Sequence, residues 1–468
     1  MISTLLAADS SSIAVSSRNS HMSGTSDASR APLRAAVHLT PPIGWMNDPN
    51  GLCRVDGRWH VFYQHDPTSD HHGPMHWGHA SSSDLVQWSH HPVALAPDEL
   101  GVAFSGSIVI DHGDSAGFGD DAMVAVFTHH RDTATGQRQS QSLAFSVDGG
   151  ESWTKFDGNP VLDTGDADAR DPHVIRFEHE RADGHWAMSL AVGDRIDFFR
   201  STDLRNWAAS GSFSDPRIDS NVWECPNLCR IEDPDGGIVW LLTFSLADGG
   251  SHGHGATFGV IGDFDGSEFA PRSEPALLDG GPDFYAAQTF HGVPGPPVAM
   301  AWLGSWRYAK TQPSVGRRGV LSLARSLSLV AGSEASADGT ITSTPLLGRR
   351  LERGAPIAAS TWSSAPRRAL HIEARGAIET TITGEHGPLA TIRTSRDDVE
   401  LVRHDDLGSG LDQRFRRPLR ATDEHRIVLD HGTIEVFADR GRAPISALIF
   451  PGMEWSVSVD GDARLTEL

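Results

Sequence analysis

Between residues 45 and 330 the chain alternates bulky apolar and small polar positions in short bursts, each cut off by Gly, Asp, Asn or Pro. Trp59–Gln64 has the alternation of a strand with one buried face. Ser107–Ile110, Met123–Thr128, Val174–Phe177, Trp186–Leu190, Ile238–Phe244, Ala299–Leu303 and Gly319–Leu323 are short apolar runs bounded by turn residues, and they read as buried strands. Nothing in this stretch carries the period of a three-turn helix. After residue 330 the texture changes. Ala331–Asp338 is small and polar, and Gly348–Pro356 has the character of a connector. Beyond it Ala369–Glu373, Val399–Val402, Arg426–Leu429, Thr433–Phe437, Ile445–Phe450 and Trp455–Val459 read as alternating strands, most simply packed as a sandwich.

Two weak repeats underlie the first part. Ser83–Trp88, Ser146–Trp153 and Ser201–Trp207 share a Ser, an Asp and a closing Trp, which reads as a blade-packing residue. A second series opens units at Asp48, Phe104, Asp171, Glu224 and Asp283, 53 to 67 residues apart. Units of that length suit four-stranded blades around a central channel, where equivalent early positions of distant units meet. The alternative is one or more sandwiches in which these acids cap separate turns. The expected architecture is all-β: a five-bladed β-propeller over residues 36–330, a connector over 331–356 and a β-sandwich over 357–468. Residues 1–35, polar and rich in Ser, Ala and Thr, are expected to lack fixed structure, and Met22 is an alternative start.

Composition narrows the partners. A formal charge of −22 disfavours a nucleic-acid backbone or an anionic membrane and points to a neutral substrate. Cys53, Cys225 and Cys229 are too few for a disulfide scaffold and lack zinc-site spacing, so no metal is expected. No export signal or spanning segment is legible, which makes the cytoplasm the expected location, with secretion open if the N-terminus is incomplete.

Three phrases open three of the units: Asn47-Asp48-Pro49, Arg170-Asp171-Pro172 and Glu224-Cys225-Pro226. Proline stiffens each, so a turn is the bland reading of any one alone. On a common axis they place three carboxylates at one channel mouth, where mutual repulsion raises at least one pKa. That suits hydrolysis of a glycosidic bond, in which one acid protonates the leaving oxygen and one carboxylate either attacks the anomeric carbon or activates water. Glu224, with the longer reach and higher reference pKa, is the expected acid. Asp48 is the expected nucleophile, and Asp171 the permanently ionised group that holds sugar hydroxyls and steadies positive charge.

Trp45-Met46-Asn47-Asp48-Pro49-Asn50-Gly51, Phe62-Tyr63-Gln64, Trp77-Gly78-His79-Ala80, Phe104-Ser105-Gly106-Ser107, Arg170-Asp171-Pro172 and Glu224-Cys225-Pro226 together resemble glycoside hydrolase family 32, the invertases and fructan hydrolases. So do Asp283–Phe290 and Ile434-Glu435-Val436-Phe437, and the similarity runs from about residue 40 to the C-terminus. The resemblance implies a five-bladed propeller with a β-sandwich and retaining hydrolysis of terminal β-fructofuranosides through a fructosyl-enzyme, with no cofactor. It implies Asp48 as nucleophile, Glu224 as acid/base and Asp171 as transition-state stabiliser. Asn47, Gln64, Phe104, Ser105 and Arg170 fall where the family lines the fructose subsite; Trp77 borders it, and Cys225 is placed to keep the Glu224 pKa high. Sucrose and short fructo-oligosaccharides are the expected substrates; levan, inulin and sucrose 6-phosphate are the alternatives, and a fructan-binding protein on the same fold is the non-enzyme alternative. The chain departs from the family at His65-Asp66-Pro67, at Gly316-Arg317-Arg318-Gly319 and at Ala324-Arg325. The first of these bears on the leaving-group side.

Overall fold

The first strands of five sheets stand around one axis, and the four strands of each blade follow one another in chain order. In the computed structural model, which describes residues 34–468 apart from 135, 180–181, 248–253, 332–338, 359, 364–367, 405–412 and 453, blade 1 comprises Gly44–Val55, Arg58–Asp66, His76–Ser82 and Trp88–Leu95. Blade 2 runs Val102–Asp111, Ala122–Thr133, Gly136–Ser146 and Thr154–Lys155, and blade 3 Ala169–His179, Ala182–Val192, Arg195–Ser201 and Ala208–Phe213. Blade 4 opens with Trp223–Glu232, Ile238–Leu246 and Ala256–Phe264; blade 5 is Tyr285–Thr289, Val298–Trp302, Arg325–Val330 and Thr340–Pro345. The segment before residue 34, expected to lack fixed structure, lies outside the described residues.

The Ser-Asp-Trp repeat is the turn from third to fourth strand. Asp84 accepts from the N–H groups of Val86 and Gln87, and Asp203 accepts from those of Arg205 and Asn206. The closing Trp207 donates its indole N–H to the Leu204 carbonyl at 2.8 Å. The side chain thereby imposes a turn that the backbone alone would leave open.

Two expectations shift. The third strand of blade 5 is Arg325–Val330, not Gly319–Leu323. Gly319 instead passes over blade 1, so close that a Cβ there would lie 1.9 Å from the Met46 carbonyl oxygen. The outer strand Thr340–Pro345 falls inside the expected connector, so the propeller runs past residue 330. An outermost strand has one exposed face, and its Thr/Ser-rich sequence hid it. The ring closes where Gly44–Trp45 pair in parallel with Arg317–Arg318 and the His291 N–H donates to the Leu52 carbonyl at 2.8 Å.

In the second domain Leu370–Gly384 and Trp455–Glu467 pair along their whole lengths and bend together, at Gly376 and Gly461, so that each contributes to two sheets. One sheet continues through Glu424–Asp430, Thr433–Ala438 and Ala443–Leu448; the other continues through Gly387–Thr394, Asp398–Arg403 and Gln413–Pro418. Ile372, Ile392, Leu401, Ile427, Val436 and Val457 fill the space between them.

The domains meet over a buried ionic cluster. Glu435 accepts from His38 Nε2 (2.7 Å), the Leu323 N–H (2.7 Å) and Arg325 Nε (3.0 Å). Arg325 Nη1 also donates to Asp279 (2.8 Å), and Asp430 accepts from the N–H groups of Ala36 and Val37 and from His38 Nδ1 (2.9 Å). Asp283, expected to open the fifth unit at the channel, belongs to this interface, where it accepts from Arg403 (2.9 Å) and the Leu448 N–H (2.8 Å).

Candidate active site

All five innermost strands carry a β-bulge at the same height, where two residues oppose one on the neighbouring strand. The bulged pairs are Asn47–Asp48, Phe104–Ser105, Asp171–Pro172, Cys225–Pro226 and Ala286–Ala287. A bulge interrupts the ladder, so a residue lacking an N–H is tolerated there. This accounts for Pro172 and Pro226; Pro49 directly follows its bulge, in register with Tyr63. In blades 3 to 5 the first bulged residue has positive φ: 62° at Asp171, 52° at Cys225 and 55° at Ala286. Such backbone is uncommon for a residue with a side chain, and here the bulge imposes it. The residues just ahead of these bulges are Arg170, Glu224 and Tyr285, one per blade, and they form a chain. Arg170 Nη1 donates to Glu224 Oε1 at 2.9 Å, and the Tyr285 hydroxyl donates to Glu224 Oε2.

The bulges gather the acids. Trp45 donates its indole N–H to Asn47 Oδ1 at 2.6 Å; since an indole only donates, the Asn47 amide must turn its NH2 toward Asp48, 3.0 Å away. Ser105 Oγ donates to Asp48 Oδ2 at 2.8 Å. The Cys225 thiol lies 3.6 Å from Asp48 Oδ2 and 3.4 Å from Asp171 Oδ2, so both carboxylates rest on one sulfur. Asp171 Oδ2 also accepts the Cys225 N–H at 2.9 Å. The expected action of Cys225 on Glu224 gives way to these contacts, because the bulge aims the thiol at the two aspartates.

Burial sets the electrostatics. Asp48 and Asp171 are 8% and 4% exposed. Burial raises the pKa of Asp48 against the hydrogen bonds from Ser105 and Asn47, and raises that of Glu224 against the charge of Arg170. Burial, with the charge of Glu224 added, pushes Asp171 up to about 7. Against the expectation of a permanently ionised Asp171, burial and the neighbouring Glu224 favour its proton, and the three acids titrate as a coupled set. Burial also pushes the Cys225 thiol well up, which keeps it a donor.

The other sequence-predicted residues surround this group. Phe104 stacks on His130 with ring centroids 4.2 Å apart. Gln64 Nε2 donates to the Ala103 carbonyl at 3.0 Å and ties blade 1 to blade 2. Trp77 is buried and donates its indole N–H to the Phe104 carbonyl at 2.9 Å. His65 does not open onto the pocket; it is buried and bonded through Nδ1 to the Trp45 carbonyl at 2.7 Å. Sequence reasoning missed Tyr285 as the partner of Glu224, and the ring contacts that join Tyr285 to Trp302, Trp306 and His72. Only Tyr285 left a signal, since it stands in the fifth unit where Glu224 stands in the fourth.

Both domains are similar to known proteins. The family description for the N-terminal domain of glycosyl hydrolases family 32 matches residues 38–345, and that for the C-terminal domain matches residues 390–467. The levanase of Bacillus subtilis is 33% identical over 461 residues, covering 89% of this chain, and an invertase of Debaryomyces hansenii is 37% identical over 311 residues, covering 63%. The chain spans 66% and 57% of the lengths of those two relatives. Among solved structures, the fructofuranosidase of Schwanniomyces occidentalis complexed with fructose superposes with a TM-score of 0.80 at 26% identity, covering 94% of this chain and 98% of that one. The exo-inulinase of Aspergillus awamori gives 0.77 at 25% identity, covering 93% and 98%. With both of its domains matched in order, the chain belongs to glycosyl hydrolases family 32.

Proposed function

We propose that this chain is a retaining β-fructofuranosidase that releases fructose from the non-reducing end of sucrose and short fructo-oligosaccharides. The observation that carries the reading is the shared sulfur: Asp48 and Asp171 both touch Cys225, and Glu224 immediately precedes it on the same strand. Asp48 attacks the anomeric carbon as the bond to the leaving oxygen breaks, and Glu224 gives that oxygen its proton. Water then attacks the fructosyl-enzyme, Glu224 takes the proton from the water, and the bond to Asp48 breaks. A raised pKa suits Glu224 to both halves, while Arg170 and Tyr285 steady its ionised form between them. Asp171 holds fructose hydroxyls, and its negative charge steadies the oxocarbenium-like transition state. The chemistry calls for no cofactor.

Levan or inulin presents the same terminal unit, and the likeness to a levanase over 89% of the chain supports testing those polymers beside sucrose and sucrose 6-phosphate. The test is the sugar released from sucrose by the purified chain, followed by NMR before mutarotation. Retention gives β-fructofuranose first. Release of the α-anomer would overturn the mechanism, and absence of fructose from every one of these substrates would overturn the activity in favour of a binding protein.

A further inference from the structure

An aromatic wall runs from the partner of Asp48 to the partner of Glu224. Trp45, which holds Asn47, stacks on Trp306 with centroids 6.1 Å apart and planes 19° from parallel. Trp306 lies 5.0 Å from Trp302, and Trp302 lies 6.2 Å from Tyr285, whose hydroxyl holds Glu224. His72 closes the outer edge of the wall, edge-on to Trp45 at 6.0 Å and to Trp306 at 5.4 Å. Trp45, Trp302 and Tyr285 are 1% exposed, whereas Trp306 and His72 are half-buried and keep surface for a ligand. An acid that protonates a leaving oxygen stands beside the departing group. Trp306 and His72, which continue outward from the acid's partner, are therefore the part of the wall with surface to offer the departing sugar.

The loop that carries His72 is built to hold it there. Asp66, one of the departures from the family pattern, accepts from the N–H and hydroxyl of Thr68 at 2.8 and 2.7 Å and so starts the loop with a side-chain turn. Asp70 accepts from the hydroxyl of Ser314, which pins the blade 1 loop to the loop of blade 5 that follows Trp306.

On the fructosidase reading above, we propose that His72 is a specificity-determining residue: its imidazole hydrogen-bonds a hydroxyl of the leaving sugar, which lies against Trp306. Among the described residues neither ring nitrogen of His72 has a hydrogen-bond partner, so both are available. Burial, with the charge of Lys310 added, holds its pKa at about 4, so the ring is neutral at pH 7, with one nitrogen to donate and one to accept.

The test compares sucrose, whose leaving group is a hexose, with methyl β-D-fructofuranoside, whose leaving group is too small to reach His72. His72→Phe keeps a ring between the tryptophans and removes both nitrogens. It is expected to lower kcat/KM on sucrose by about 10-fold, the effect of one lost hydrogen bond, and to leave the methyl glycoside within about 2-fold of the parent. His72→Gln, which restores a donor and an acceptor, is expected to recover part of the loss on sucrose. Equal losses on both substrates would reduce His72 to a structural wedge, and an unchanged rate on sucrose would remove it from the site. If His72→Phe does not fold, His72→Ala is read with the same pair of substrates. A parent chain that cleaves neither substrate would instead overturn the fructosidase reading itself.

Discussion

Two groups of buried acids lie in this molecule, and their surroundings push them in opposite directions. In the channel, burial raises Asp48, Asp171 and Glu224. At the domain interface burial also acts to raise Glu435 and Asp430, yet Arg325, His38 and the Leu323 N–H together outweigh it for Glu435, and His38 with the N–H groups of Ala36 and Val37 together outweigh it for Asp430, so both are lowered. The difference is the supply of partners. Glu435 shares a guanidinium and an imidazole, and its oxygens are filled by donors. Three channel acids have one guanidinium nearby, and Arg170 divides it between Glu224 and Asp168. Asp283, with Arg403 and Tyr308 as partners, falls between the two cases and is still raised by burial. A buried carboxylate whose charge is fully answered holds domains together; one left short of partners is ready to accept a proton or attack a carbon.

The largest effect that sharpens this contrast is on activity. Glu224→Gln is expected to lower kcat on sucrose by about 10²–10⁴-fold, the usual contribution of a general acid, with the fold intact by circular dichroism. A variant as active as the parent would move the acid elsewhere. At the interface the loss is one of stability. Arg325→Met leaves Glu435 and Asp279 buried without their guanidinium and is expected to cost about 3–5 kcal/mol in denaturant unfolding, while kcat of the folded fraction stays at the parent value. A neutral effect on stability would show the interface acids to be satisfied without it.

Smaller shifts separate the two groups by sign. Asp171 has a folded pKa above its unfolded value, so the folded state holds the proton more tightly and loses stability as pH rises from about 4 through about 7. Asp171→Asn is therefore expected to raise Tm at pH 8 while it abolishes turnover, and a lower Tm would contradict the shortage of partners. His38 behaves differently. Burial would lower its pKa, but Asp430 and Glu435 outweigh burial and raise it to about 9. The stability it contributes is complete below pH 6.5 and is lost as pH rises through about 9. Glu435 and Asp430, being lowered, contribute above their ordinary range and lose that contribution as pH falls. His38→Gln is expected to flatten the fall in Tm between pH 6.5 and 9; an unchanged slope would place the alkaline loss elsewhere.

The channel acids were legible because a bulge leaves a mark in one dimension. Proline sits in the interruption or directly after it, so Asp48, Asp171 and Glu224 each stand beside or near one. Strand existence was legible from alternation, and the outer strand of blade 5 was lost because Thr340–Pro345 is too polar to register. Trp306 and His72 come together only where the last blade meets the first, a contact between distant stretches that no local pattern reports. Glu435 stood inside a recognised phrase, but its work depends on His38 and Arg325, far away along the chain. A residue's chemistry can be read from its neighbours in sequence; whether its charge is answered depends on neighbours in space.

The central claim is that Asp48 forms a covalent bond to fructose while Glu224 handles the proton. The direct test uses Glu224→Gln with β-D-fructofuranosyl fluoride, whose fluoride leaves without acid help, so that the fructosyl-enzyme forms and then persists for want of a base. Mass spectrometry of the digest is predicted to find one added fructosyl residue on the peptide that carries Asp48. The same adduct on another acid, or fluoride release with no adduct at any time point, would contradict the account.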